Sequence, residues 1–522
     1  MKFSLEEIGE VVPALLTLES LLTEGLDSLP RRLRMALESD DYSGALSEAN
    51  QHYAKQGPGD RDAALAYAVL LVNRQLCDEA LGVLRRSLQE HAQDVGLQLA
   101  QAEALIMKGE FEAAEGLLEA LQSVTSSTPK HWSFMGDMYL DMGHDDEALA
   151  CYQAALDRGL ESIDVASRVG EIFADREDFA EAATFFGRAA RWAVTDPELW
   201  RVTAETHMES GGFEEATYAL KRMLQEKEHD ERGWLLMGVS QIQLGNLAAA
   251  ADAFQEVVAV NPHNSTAWEQ LGHVLLSSGH GEEALQAFLE AIEHGGDEEV
   301  DLLNSAARAA YEIGDVEAAR GWSDRAMALD PEDGETLFNR GVIFLTLRRG
   351  EDARRALLPL LQMVPVDEKP RILGALAVSE MMSGRDEEAF EHIDAAQRQT
   401  VDVEPLWVSA FAEELLRTRG ARATQEFLDT VKIADPTWEV VRGMLGYLCC
   451  ALMEDDDEAD VFARGFLASL KQAPEVVPVM WDFEGWEVFA FRLQRRYEEV
   501  FDMMLGILEG RREIEDMEEL LS

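Results

Sequence analysis

Four cysteines in 522 residues (Cys77, Cys151, Cys449 and Cys450) are too few and too irregularly spaced for a disulfide framework or a zinc site. They read as core thiols of a reducing compartment. Basic side chains are scarce as well: 45 Lys and Arg stand against 100 Asp and Glu, a formal charge of −55. A surface of that sign repels nucleic acid and anionic membranes, which excludes both as partners. No apolar run approaches the ~20 residues that cross a bilayer. The start of the chain offers only Lys2 ahead of Glu6 and Glu7, with no small-residue cleavage site after its apolar stretch, so no signal peptide is expected. The expected location is the cytoplasm.

The signatures of catalysis are also missing. There is no Gly-x4-Gly-Lys-Ser/Thr phosphate loop, no nucleophile elbow and no His-Glu-x2-His pair. His273 and His280 lie two turns apart without a third ligand nearby. The run Asp455-Asp456-Asp457-Glu458 lacks the spacing and central glycine of a calcium loop and reads as a solvated connection. No catalytic residue, metal or cofactor is expected, and the chain is read as a non-enzyme. No stretch shows period-2 alternation between hairpin turns, so strands are not expected either.

What the sequence does contain is a period. Apolar residues make up 47% of it, ordinary for a folded protein. Trp132, Trp200, Trp234 and Trp268 are separated by 68, 34 and 34 residues. With Trp132 as position 4 of a 34-residue frame, position 20 is alanine in eleven registers: Ala80, Ala114, Ala148, Ala182, Ala216, Ala250, Ala284, Ala319, Ala353, Ala389 and Ala423. A small residue at one phase means that two helices approach closely there, once per repeat. Glycine recurs at position 15 (Gly109, Gly143, Gly211, Gly245, Gly279, Gly314, Gly384), where a first helix ends. Position 24 carries Phe186, Phe254, Phe288 and Phe427, the buried stripe of a second helix. Each unit is thus an antiparallel helix pair that needs stacked neighbours to bury its apolar face.

Trp234-Leu235-Leu236-Met237-Gly238, Trp268-Glu269-Gln270-Leu271-Gly272 and the recurrent alanines resemble the tetratricopeptide repeat, and the chain is similar to a bacterial-type scaffold built of many such units. The resemblance implies an all-α fold, a right-handed superhelical solenoid of about 11–12 stacked antiparallel helix pairs with helical caps at both ends. It also implies binding of proteins or peptides in a concave groove. The expected organisation is a capping helix over 1–26, a degenerate pair over 27–60, eleven units over 61–435 and a degenerate helical cap over 436–522. Pro359 falls inside an expected second helix.

Helical phase, together with the resemblance, places positions 2, 5, 9, 12 and 13 toward the groove. Positions 9 and 13 carry Glu103, Asp137, Asp141, Glu171, Asp175, Glu205 and Glu209 in four consecutive units, seven acids in eight sites. Composition alone gives roughly 1.5. This stripe is the expected seat of a basic or amphipathic partner segment. Further along, Leu235, Val239 and Ile242, then Phe338, Val342 and Leu345, with Val378 and Met381, suggest an apolar floor. Asn304, Arg308, Asn339 and Arg371 form a polar set similar to the carboxylate-binding residues of some family members, with arginine and asparagine exchanged in the first unit. The expected role is a non-enzymatic interaction scaffold, adaptor or chaperone-like protein. A peptide-sensing regulatory subunit, or an enzyme with a helical C-terminal catalytic region, stands as the alternative.

Overall fold

The computed structural model describes residues 25–39, 41–123, 128–295, 299–399, 405–433, 436–472, 492–508 and 511–521, together with Leu18, Leu21, Leu22 and Phe489. Most of the expected capping helix over 1–26 lies outside them. The described residues form helices and turns with no strand, and none of the helices is long and apolar enough to cross a membrane.

The frame fixes where helices begin. First helices start at position 1 of successive units, at Arg61, Val95, Pro129, Ile163, Pro197, Glu231, Ser265, Val300 and Gly334. The residue just before is Asp60, Asp94, Thr128, Ser162, Asp196, Asp230, Asn264 or Asp333 in eight of these nine, and each side chain accepts a hydrogen bond from the backbone of the first turn. Such a cap satisfies a donor that the helix leaves open. The tryptophans add a second latch: the indole N–H groups of Trp200, Trp234 and Trp268 donate to the carbonyls of Val194, Glu228 and Pro262 at 3.0, 2.7 and 2.9 Å.

The first helix ends in a left-handed residue at position 15. Glycine supplies it in most units, with φ near +80° at Gly211 and Gly279. Where the sequence has no glycine, Gln75, Glu177 and Arg348 take the same conformation at φ 61°, 64° and 59°. The turn is therefore demanded by the packing of the pair, not by glycine.

Inside each pair the helices are close. A methyl group added at Gly272 would sit 2.6 Å from the Phe288 ring, and Gly136, Gly170 and Gly238 stand in the same relation to Tyr152, Phe186 and Phe254. Position-20 alanines from Ala80 to Ala389 are fully buried, while Ala423 is half-buried at the last expected unit.

The chain forms two compact units, residues 1–260 and 261–522. The first holds the pair Arg31–Glu38 and Tyr42–Gln56, then six pairs from Arg61–Asn73 to Leu247–Val260. The second begins with the pair Ser265–Ser277 and Gly281–His294 and keeps the frame through Pro405–Arg419 and Ala421–Leu428. Pro359 breaks one second helix into Gly350–Leu357 and Leu360–Met363, as its missing N–H requires. Beyond residue 436 the helices lengthen to Pro436–Met453 and Asp456–Gln472, which leaves the 34-residue frame but continues the pairing around fully buried Trp438 and Phe466.

Candidate functional site

The acidic stripe lies wholly within the first unit, on the first helices Val95–Lys108, Pro129–Asp141, Ile163–Asp175 and Pro197–Glu209. Val95–Lys108 packs on Pro129–Asp141, where Asp141 acts on Glu103, and Arg168 of Ile163–Asp175 reaches back to Asp137. Asp141, Glu171, Asp175 and Glu209 are exposed, and Glu103, Asp137 and Glu205 are half-buried.

The stripe is not uninterrupted. Arg168 lies 3.1 Å from Asp137 Oδ1, which also accepts a 2.7 Å hydrogen bond from the Tyr152 hydroxyl. Arg201 reaches both Glu205 oxygens at 2.8 Å, and Arg232 of the next repeat reaches Oε1 at 2.7 Å. These three arginines were legible in part: Arg201 and Arg232 occupy positions 5 and 2, both assigned to the groove face. Among the described residues none forms an ion pair with Asp141, Glu171, Asp175 or Glu209, so the strip keeps a surplus of negative charge.

Burial shows in the protonation of these groups. Asp137 is pushed above the usual carboxylate range by burial, against the opposing pull of Arg168 and Tyr152. Loss of part of their hydration among neighbouring side chains likewise raises Asp141, with Arg168 opposing, and Glu171, where Arg168 again opposes and Asp175 adds repulsion. Glu103 is moved furthest, to about 8, by burial and by the Asp141 charge.

The polar set of the second unit is split by the fold. Asn304 is fully buried and does not face the groove: its amide donates to Asp333 Oδ2 at 3.0 Å and its carbonyl accepts from the Thr336 hydroxyl at 3.0 Å. It ties the cap of the following helix to its own; hydrogen bonds from the Thr336 hydroxyl and backbone N–H, with that from Asn304, hold Asp333 below its ordinary value although burial works the other way. Asn339 is half-buried, with Nδ2 covered and without a hydrogen-bond partner. Arg308 and Arg371 are exposed, and the Arg371 guanidinium lies 4.0 Å from the centre of the Phe338 ring.

The apolar residues divide in the same way. In the first unit Leu235 and Ile242 are half-buried and Val239 is exposed. In the second, Phe338 and Val342 are half-buried, while Leu345, Val378 and Met381 are buried in the core and offer no floor to a partner. Helical phase gives the direction of a side chain but not the thickness of packing over it.

Among the described residues no group of three or more His, Cys, Asp or Glu side chains has the geometry to hold a metal ion. Two family models described as tetratricopeptide repeat match the sequence, over residues 98–325 and 338–400. The chain belongs to the tetratricopeptide repeat superfamily. As such it is a scaffold for contacts with proteins or peptides. No curated protein matches this tetratricopeptide repeat chain in sequence. Solved structures with a similar fold include YrrB, a TPR protein with an unusual peptide-binding site, at 17% identity over 36% of this chain and 95% of that one, with a TM-score of 0.31. The Pseudomonas aeruginosa pilF structure is 18% identical over 40% and 94%, with a TM-score of 0.29. The Naa15/Naa10 complex bound to HypK-THB is 14% identical over 88% and 79%, with a TM-score of 0.44. These likenesses concern the fold alone.

Proposed function

We infer that this tetratricopeptide repeat protein receives a basic or amphipathic segment of a partner protein along the first helices between Val95 and Glu209. The observation that carries the reading is the stripe: seven acids at two phases on four consecutive helices, against Arg168, Arg201 and Arg232. Excess charge of one sign along a groove steers an oppositely charged segment and speeds its capture. Leu235, Val239 and Ile242, partly open further along the same unit, give the apolar side of such a segment somewhere to rest. Exposed Arg308 and Arg371 in the second unit are offered as contacts for an anionic group of the partner, without Asn304. Four free, buried thiols support a cytoplasmic setting.

The test uses a synthetic lysine-rich amphipathic peptide and stopped-flow association rates. Neutralising Glu171, Asp175 and Glu209 as Gln, Asn and Gln should slow association and flatten its dependence on salt around 0.15 M, where the Debye length is about 8 Å. The outer triple Glu181→Gln, Glu214→Gln and Glu215→Gln, on second helices, should do neither. Equal behaviour of the two triples would remove the groove reading.

A further inference from the structure

Within the stripe one acid differs in kind. Oε2 of Glu103 is closed off from solvent and has no hydrogen-bond partner, although the residue as a whole is only half-buried. Asp137 and Glu205, the other half-buried acids of the stripe, each have an arginine. A covered carboxyl oxygen with nothing to accept from is costly to keep, and a native fold that retains one is ready for a donor from outside.

The surroundings say which donor. From helix Pro129–Asp141 the group facing Glu103 is another carboxylate, Asp141. From helix Cys77–Ser87 it is the Cys77 thiol, buried at the helix start and itself raised first by burial, with a smaller contribution from Glu103. On its own helix Lys108 is held 2.8 Å from Asp78 and 2.9 Å from Glu110. Helices Arg61–Asn73 and Phe111–Gln122, also packed on it, bring no charge that acts on Glu103. Among the described residues no cation serves this carboxyl.

Resting on the groove reading above, we propose that Glu103 and Asp141 together seat one cationic side chain of the partner segment, and that its docking expels a proton from Glu103. The balance is simple: the Glu103 O–H bond breaks, the proton goes to solvent, and the carboxylate pairs with the incoming ammonium or guanidinium. Burial and Asp141 raise Glu103 to about 8, so near neutral pH the free protein carries it as the acid.

Calorimetric titration of the full chain with two amphipathic peptides, one all-lysine and one all-arginine in its cations, tests this in buffers of different ionisation enthalpy. Near neutral pH, close to one proton should be released per peptide bound, and affinity should rise up to roughly twenty-fold between about pH 6.5 and 8.5. Glu103→Gln should still bind but release no proton and lose the pH dependence. Asp141→Asn should shift the pH midpoint downward, because Asp141 is part of what holds the proton on. Release with either peptide supports the proposal and names the cation. Tight binding of both without proton release, or an unchanged pH profile in Glu103→Gln, overturns it and leaves the groove reading standing. No binding of either peptide at any pH overturns both.

Discussion

The two units build on one repeat frame, and the first pairs Asp137 and Glu205 with arginines, but it leaves one covered carboxyl oxygen without a cation. Among the described residues of 261–522 the two deeply buried carboxylates have a cation: Glu414, 3% exposed, is gripped by both terminal nitrogens of Arg348 at 2.6 and 3.0 Å. Glu380, 1% exposed, lies 3.4 Å from Arg354 on one oxygen and 2.6 Å from His392 on the other. In residues 1–260 the covered oxygen of Glu103 has none. A carboxylate matched inside the chain belongs to the architecture; a carboxyl left without a cation on a groove face is available to a partner. The repeat supplies the phase, and the presence of an internal cation decides which use the phase is put to.

The sharpest way to break this contrast is to unpair the second unit. Arg348→Met should lower stability by about 3 kcal/mol, the low end for stranding a buried carboxylate, because the guanidinium is itself half exposed. Urea unfolding followed by circular dichroism reads it. A change below about 0.5 kcal/mol would mean that Glu414 does not depend on its arginine.

The reverse experiment relieves the first unit. Folding raises Glu103 from the ordinary carboxylate value to about 8. As pH climbs through that window the unfolded chain releases its proton first, so the native state loses ground. Glutamine has nothing to ionise. Glu103→Gln should therefore be more stable than the parent by about 2 kcal/mol at pH 7, with the gain fading toward pH 4. A variant no more stable at pH 7 than at pH 4, relative to the parent, would show that Glu103 is not held as a buried acid.

His392 gives a smaller effect of the other sign. Its hydrogen bond to Glu380 raises it above the ordinary imidazole value, with burial opposing. Stability from a raised histidine is complete below the ordinary value and is lost as pH rises through the raised one. His392→Gln should cost about 1 kcal/mol near pH 6, discounted for partial solvation, and less than half of that near pH 9. A cost independent of pH would assign His392 to packing alone.

The smallest effect compares one turn in both units. Glu177→Gly removes a side chain from a left-handed position and should add up to about 1 kcal/mol to thermal stability. Arg348→Gly relaxes the same backbone but cuts the bond to Glu414, so it should lose stability overall. Equal gains would show that the ion pair contributes little.

The sequence alone determined everything that depends on phase. A 34-residue spacing of alanine, glycine and aromatic residues set the helix starts, the left-handed turns and the rings packed over Gly136, Gly170, Gly238 and Gly272, because helical geometry converts residue number into direction. It also put seven acids on one face of four helices. The N-caps from Asp60 to Asp333 were there to be read as well, at the last position of each frame. What only the tertiary structure decided is partnership and depth. Arg168 meets Asp137 from the neighbouring repeat, Arg348 crosses to Glu414, and Asn304 turns into the caps instead of the groove. Val378 shares the phase of exposed Val239, and Leu345 and Met381 that of half-buried Ile242, but all three are buried in the core. Phase says which way a side chain points; how far it must reach, and what lies over it, depends on the spacing between helices, and that spacing is set by the packing of whole side chains across repeats.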